Sequence, residues 1–396
     1  MDRKKSLLFV INDFNVGGAE LFVQRLGIAL MGEYQIYLMD IFPEKSNQEF
    51  KLQFLNKGFL YINRFPDISK KRERKYWKLN ALFYRLGIKG IYAKLIKSYQ
   101  KRYLTHIIHE KKIDIIHSHY YSSDVFVSQL EINKNVKKVI TIHGDYNQNI
   151  YNNLKEKEKQ RFLNNAKNVL ETCDVASYVA DLNIEILKEI PVSPVQLMKI
   201  YLGYERPVIN QTKRSECITF CMVARSNASK GWKNAVDAFM EINMKYPDTR
   251  LICVGPIEGI LNDLYNQYKE NQTISFSGYS DNPAFYIDQS DICLLPTFFE
   301  GESSPYSIIE YLALGKPVIA TEVGEIKSML TYSSHIAGTL IQSEKIIKND
   351  NSQLVEAMEI LLLDKDLLKS KSELAFKAFE KYSMEKCLET FLKLYS

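Results

Sequence analysis

Residues 299–320 read Phe299-Glu300-Gly301-Glu302-Ser303-Ser304-Pro305-Tyr306-Ser307-Ile308-Ile309-Glu310-Tyr311-Leu312-Ala313-Leu314-Gly315-Lys316-Pro317-Val318-Ile319-Ala320. Two carboxylates, Glu302 and Glu310, bracket a small polar loop and the first turns of an apolar helix, expected over 304–314. Ser303 and Ser304 can cap that helix, with Pro305 near its first turn. Gly315 ends it, and Lys316-Pro317 lead into a strand at 316–320. A backbone-rich loop, a helix N-terminus and two acids then surround one pocket. Such a pocket suits a ligand with phosphates and several hydroxyls. Glu310, amid Ile308, Ile309, Leu312 and Ala313, is costly to bury unless paired or bound, and sugar hydroxyls would satisfy it.

Outward from this stretch, short apolar runs alternate with longer helical patterns. Strands are expected at 6–12, 35–40, 59–62, 113–117, 137–142, 174–180 and 195–200. A second series follows at 217–223, 250–254, 273–277, 291–295, 316–320 and 339–342, with helical patterns such as 18–31, 232–245 and 353–363 between. That alternation predicts parallel sheets covered by helices on both faces, an α/β class. Two series in 396 residues predict two Rossmann-like, doubly wound domains with a cleft between them. The polar stretch 203–215 places the boundary, giving domains 1–203 and 204–379.

Open parallel sheets bind ligands beyond the carboxyl ends of their strands, so the loops there hold the candidates. After the first strand come Gly17-Gly18-Ala19-Glu20 and a helix, where backbone N–H groups can approach an anion. This is not Gly-x-Gly-x-x-Gly, so a dinucleotide site is not indicated. His119 and His143 follow strands, and Gly144 gives a substrate room beside His143; His117 lies on its strand and reads as structural. Strand 217–223 ends in Ala224-Arg225-Ser226-Asn227-Ala228-Ser229-Lys230-Gly231. A cation at each end of a short loop before a helix makes an anion clamp.

Other classes are excluded. There is no metal cluster and no Ser/His/Asp or Cys/His hydrolase arrangement, so bound phosphates must be neutralised by protein cations and helix N-termini. No run approaches the ~18 apolar residues of a membrane span. The basic start followed by Ser6-Leu7-Leu8-Phe9-Val10-Ile11 is too short for a signal peptide and reads as a first strand. The six scattered cysteines read as reduced thiols, which predicts a cytoplasmic protein. Charge is uneven: residues 70–103 carry twelve Lys/Arg and one acid, Glu73, against +5 for the whole chain. Aromatic and aliphatic residues are interleaved there at helical spacing, with Gly87 and Gly90 expected to divide two helices. A basic amphipathic surface of this kind fits an anionic membrane, and no nucleic-acid motif accompanies it.

Taken together, these residues resemble the family 4 glycosyltransferases of the GT-B fold. The most specific parts are Glu302-x7-Glu310 with Gly315-Lys316-Pro317-Val318, and Arg225-x4-Lys230-Gly231, supported by Gly17-Gly18-Ala19-Glu20 and His143-Gly144. The resemblance implies retaining transfer, without a metal or other cofactor, from a nucleotide-diphosphate sugar to a saccharide acceptor. Arg225 and Lys230 would bind the diphosphate and Glu310 the ribose. Glu302 would sit against the donated sugar with Ser303 and Ser304, His143 would approach the sugar from the opposite domain, and Gly17 and Gly18 would lie near the diphosphate and acceptor. His119 and Glu20 would face the acceptor. The final helix, 380–396, would cross back onto the first domain. One departure stands out: the family usually has Gly after the first glutamate, where this chain has Ser303. Members of this type often build bacterial surface polysaccharides (O-antigen, capsule or exopolysaccharide). A lipid-linked acceptor would explain the 70–103 patch and predicts a peripheral position on the inner face of the cytoplasmic membrane. A nucleotide-sugar epimerase or hydrolase, and a non-catalytic sugar-nucleotide binding protein, are the rival expectations.

Overall fold

The computed structural model describes residues 3–64, 74–75, 78–79, 81–82, 91–146, 151–190, 196–208, 217–299 and 301–396. Much of the basic stretch 70–103, with Gly87 and Gly90, and residues 209–216 of the boundary segment lie outside the described residues.

Two parallel sheets organise the chain. The first holds β1 (Lys5–Ile11), β2 (Tyr34–Asp40), β3 (Leu60–Tyr61), β4 (Ile115–His119), β5 (Lys137–Ile142), β6 (Val175–Tyr178) and β7 (Gln196–Lys199), in the order β3-β2-β1-β4-β5-β6-β7. The second holds β8 (Ile218–Val223), β9 (Thr249–Val254), β10 (Ile274–Gly278), β11 (Ile292–Leu295) and β12 (Val318–Thr321). After the small hairpin β13 (Thr331–Tyr332) and β14 (His335–Ile336) comes its last strand, β15 (Gly338–Ile341), and the order is β10-β9-β8-β11-β12-β15. Each sheet thus reverses direction once, between β1 and β4 and between β8 and β11. Central strands such as Leu7–Ile11 and Ile292–Leu295 are buried on both faces, which explains their continuous apolar reading.

Some boundaries differ from the sequence reading, for physical reasons. β4 begins at Ile115, after Asp114, whose carboxylate accepts from Ser6 N at 2.7 Å. It continues to His119, which pairs with Thr141 of β5, so His119 lies on the strand and not beyond it. β12 starts at Val318 because Pro317 has no N–H to give the ladder. The helix after the acidic loop spans Tyr306–Ala313, with Pro305 at its N-cap and no side-chain cap. Ser303 and Ser304 do not cap it; the Ser303 hydroxyl is spent across the domain interface.

The chain crosses between domains twice. Tyr204 N donates to Tyr382 O at 2.8 Å and Met384 N to Tyr204 O at 3.2 Å, so the two crossings are tied together. Helix Met384–Tyr395 then packs on the first domain, where Phe391 meets Phe22 at 5.7 Å between ring centres. Tyr395 Oη sits 2.7 Å from His117 Nδ1, and His117 Nε2 sits 2.7 Å from Thr141 Oγ1. His117 is therefore a satisfied core group. The six cysteines all lie among the described residues and none is in a disulfide.

Candidate functional site

The strand orders fix where a ligand can lie. At a topological switch point the loops after neighbouring strands diverge and leave a crevice. In the first domain these are the loops after β1 and β4; in the second they follow β8 and β11. All four meet at the domain interface.

A cavity of about 190 Å³ lies among three of them. Asn12, Asp13, Asn15 and Gly17 come from the loop after β1, Tyr120 from the end of β4, and Arg225 from the loop after β8. Glu20, in the first turn of helix Gly18–Leu30, completes the wall. Tyr120 Oη donates to Glu20 Oε2 at 2.9 Å. Burial pushes the Glu20 carboxyl up to about 7, with bonds from its own backbone and from Tyr120 opposing the rise. A Cβ on Gly17 would lie 2.4 Å from Glu20 Oε2, so a larger residue there would displace that carboxylate. Tyr120 itself has φ 76°, a costly conformation for a non-glycine residue that aims its ring at the cavity rim.

Arg225 opens the loop Arg225–Lys230, whose backbone is pinned by Trp232 Nε1 donating to Arg225 O at 2.9 Å. At the other end of the loop, Lys230 Nζ lies 2.5 Å from Glu302 Oε2, and Thr297 Oγ1 donates to the same oxygen at 3.1 Å. The Lys230 ammonium also sits 4.8 Å from the centre of the Phe299 ring. The loops after β8 and β11 are thus one polar unit, with a cation and a carboxylate both buried at the interface.

Four contacts close the two domains on each other. Ser303 Oγ donates to Asn183 Oδ1 at 3.0 Å. Glu325 accepts from Asp181 N at 2.8 Å and from Lys199 Nζ at 2.9 Å. Arg25 Nη2 donates to Glu310 Oε1 at 2.8 Å. Gly144 lies so close to the acidic loop that a Cβ on it would stand 2.7 Å from Gly301 O. The cavity is smaller than the roughly 300–1,000 Å³ of most small-molecule sites.

The candidate residues fall into three groups. Gly17, Glu20 and Arg225 line the cavity. Gly18 faces Tyr306, and Lys230, Glu302 and Ser303 form the adjoining loop unit. The Ser304 hydroxyl contacts Met329 sulfur at 3.7 Å and points away from it. His143 borders the site through Tyr120, with ring centres 5.5 Å apart. Burial lowers its imidazole to about 3, so it is neutral. His119 is fully buried between Phe9 and Phe22, with Nδ1 3.1 Å from His143 Nε2. It braces His143 and does not line the cavity. Glu310 is held by Arg25, and burial raises its carboxyl above the usual range despite that cation.

Sequence reading passes over Asp13, Tyr120, Asn183 and Arg25. One signal was present for Arg25: it stands two helical turns after Gly18, on the same face. Nothing local marks Tyr120 or Asn183, whose hydrogen-bond partners Glu20 and Ser303 lie a hundred residues or more away.

Comparison with known proteins places both halves. Residues 16–203 match the family model described as "Glycosyltransferase Family 4", and residues 217–364 match "Glycosyl transferases group 1". The chain is a glycosyltransferase of the GT-B type. It is 24% identical over 384 residues to the uncharacterized glycosyltransferase MJ1178 of Methanocaldococcus jannaschii, covering 96% of this chain and 94% of that one. A second relative from that organism, the uncharacterized glycosyltransferase MJ1059, is 21% identical over 234 residues; the match spans 54% of this chain and only 57% of that protein's length. Among solved structures, Anabaena Alr3699/HepE in complex with UDP superposes with a TM-score of 0.72 at 14% identity, over 98% of this chain and 99% of that one. At that identity the likeness is one of fold.

Proposed function

We propose that this glycosyltransferase moves a hexosyl group, with retention of configuration, from a nucleotide-diphosphate sugar to a saccharide acceptor that is lipid-linked, in surface-polysaccharide assembly. One observation carries the reading: Gly17 and Arg225, from opposite domains, line one interdomain cavity beside the Lys230–Glu302 loop unit. Neighbours such as Alr3699/HepE in complex with UDP-glucose support the sugar-nucleotide part.

In this reading Arg225 and Lys230 neutralise the diphosphate as the bond from the sugar's anomeric carbon to the phosphate oxygen breaks. The acceptor oxygen bonds that carbon from the same face, and its proton passes to the departing diphosphate. Fixed cations aimed at the leaving oxygen supply the main stabilisation, with no metal required. The cross-domain contacts exclude water from the closed site and so limit hydrolysis. Asp13, Asn15 and Glu20 offer hydrogen-bonding groups to the acceptor's hydroxyls. The basic stretch 70–103 supports contact with an anionic membrane. No described helix is long and apolar enough to cross one.

The test is a screen of nucleotide-diphosphate sugars, with and without lipid-pyrophosphate saccharides, read by mass spectrometry and in the presence and absence of EDTA. Acceptor-dependent transfer supports the reading. Donor turnover identical with and without acceptor would point instead to an epimerase or hydrolase. Binding to anionic vesicles unchanged after neutralising Lys71, Arg72, Arg74 and Lys75 would remove the membrane part alone.

A further inference from the structure

The Arg25–Glu310 pair carries more than a structural role. Its partners come from opposite domains: Arg25 from helix Gly18–Leu30 and Glu310 from helix Tyr306–Ala313. The guanidinium is held in one plane, 4.6 Å from the centre of the Tyr204 ring and 4.4 Å from that of Tyr306. Tyr306 is itself fixed by its hydroxyl donating to Gly203 O at 3.1 Å. Yet the hydrogen bond uses only Nη2 and Oε1. Arg25 Nη1 is buried without a partner among the described residues. An unmet donor in a low-dielectric site is costly, and a guanidinium clamped by two rings cannot turn to find one.

We propose that Arg25 is a specificity-determining residue for the sugar donor. Its Nη1 and the second carboxylate oxygen of Glu310 make an adjacent N–H donor and oxygen acceptor that read the vicinal hydroxyls of the nucleotide's ribose. The inference rests on the reading that Glu310 faces that ribose. Each hydroxyl both donates and accepts, so one can give its proton to the carboxylate while the other accepts from the guanidinium. A deoxyribose would leave Nη1 unmet, the situation in which a polar site discriminates most strongly. Because the two groups belong to different domains, the ribose is read only when the cleft is closed. Donor recognition and closure are then one event.

The experiment measures binding of UDP, GDP and ADP, each beside its 2′-deoxy counterpart, by calorimetry on the full chain. The wild type should prefer one ribonucleotide over its deoxy form by about tenfold or more. Arg25→Gln should weaken that ribonucleotide and bring the ratio close to one, with Arg25→Lys between the two. A wild-type ratio close to one overturns the proposal without any variant, so a poorly folding Arg25→Gln does not leave it standing. A folded Arg25→Gln with the wild-type ratio also overturns it. So does tighter ribonucleotide binding in Arg25→Gln, since Arg25 would then be an obstacle. Glu310→Gln separates the two levels. Wild-type nucleotide affinity in that variant, or no binding of any nucleotide to the wild type, removes the underlying reading. Weak binding in Glu310→Gln with an unaltered ratio in Arg25→Gln removes only the role of Arg25.

Discussion

Lys230 Nζ and Glu302 Oε2 lie 2.5 Å apart across 72 residues of chain, joining the loops that follow β8 and β11. Their side chains are only 9% and 6% exposed, so neither charge can fall back on water if the other is removed. Lys230→Ala or Glu302→Ala alone should cost about 3–5 kcal/mol, while replacing both with apolar residues of similar size should cost much less. Denaturant unfolding of the two single variants and the double variant checks this. Additive losses in that cycle would mean that the two groups act independently.

Glu20 gives the fold a pH dependence of known sign. Its carboxyl is raised by burial from 4.5 to about 7, so the folded state holds this proton more tightly than the unfolded chain does. The contribution is fully present below pH 4.5 and fades as pH rises through about 7. Relative to Glu20→Gln, the wild type should lose up to about 3 kcal/mol between pH 4.5 and 8. Parallel unfolding curves for the two proteins over that range would contradict the assignment.

His143 should contribute no titration to the rate profile. With its imidazole lowered to about 3 by burial, it stays neutral from pH 5 to 8. A step in transfer rate across that range should survive in His143→Asn and vanish in Glu20→Gln. The reverse pattern would mean that water reaches the imidazole in the working enzyme.

Gly144 sets how far the domains can approach. A methyl group there would stand 2.7 Å from Gly301 O and 3.1 Å from Ser303 Oγ. Gly144→Ala should therefore hold the cleft ajar, lowering transfer roughly ten- to a hundredfold through misplacement of the acidic loop. The first domain's own core is untouched by the change, so the melting temperature should barely move. Steady-state kinetics with a melting curve distinguishes this from simple destabilisation.

Much of the architecture is written locally. Apolar runs buried on both faces, such as Leu7–Ile11 and Ile292–Leu295, mark central parallel strands without reference to anything distant. Glycines and cations just past those runs place Gly17, Arg225 and Lys230 at strand ends, where a doubly wound sheet puts its ligands. His119 escaped that logic because its place depends on pairing with Thr141, which carries β4 two residues past the end expected from its apolar run. The serines after Glu302 read as helix caps until a partner from the other domain, Asn183, takes the Ser303 hydroxyl.

The sequence by itself determined two doubly wound sheets, the order of their strand-end loops and the kinds of side chain those loops carry, because each follows from short-range periodicity and turn chemistry. Only the tertiary structure decided which side chain answers which. Glu310 is met by Arg25 and Lys230 by Glu302, while Glu20, raised to about 7 by burial, is only partly ionised near neutral pH. Such pairings arise when two domains exclude water from a shared surface, and no stretch of chain encodes that surface alone.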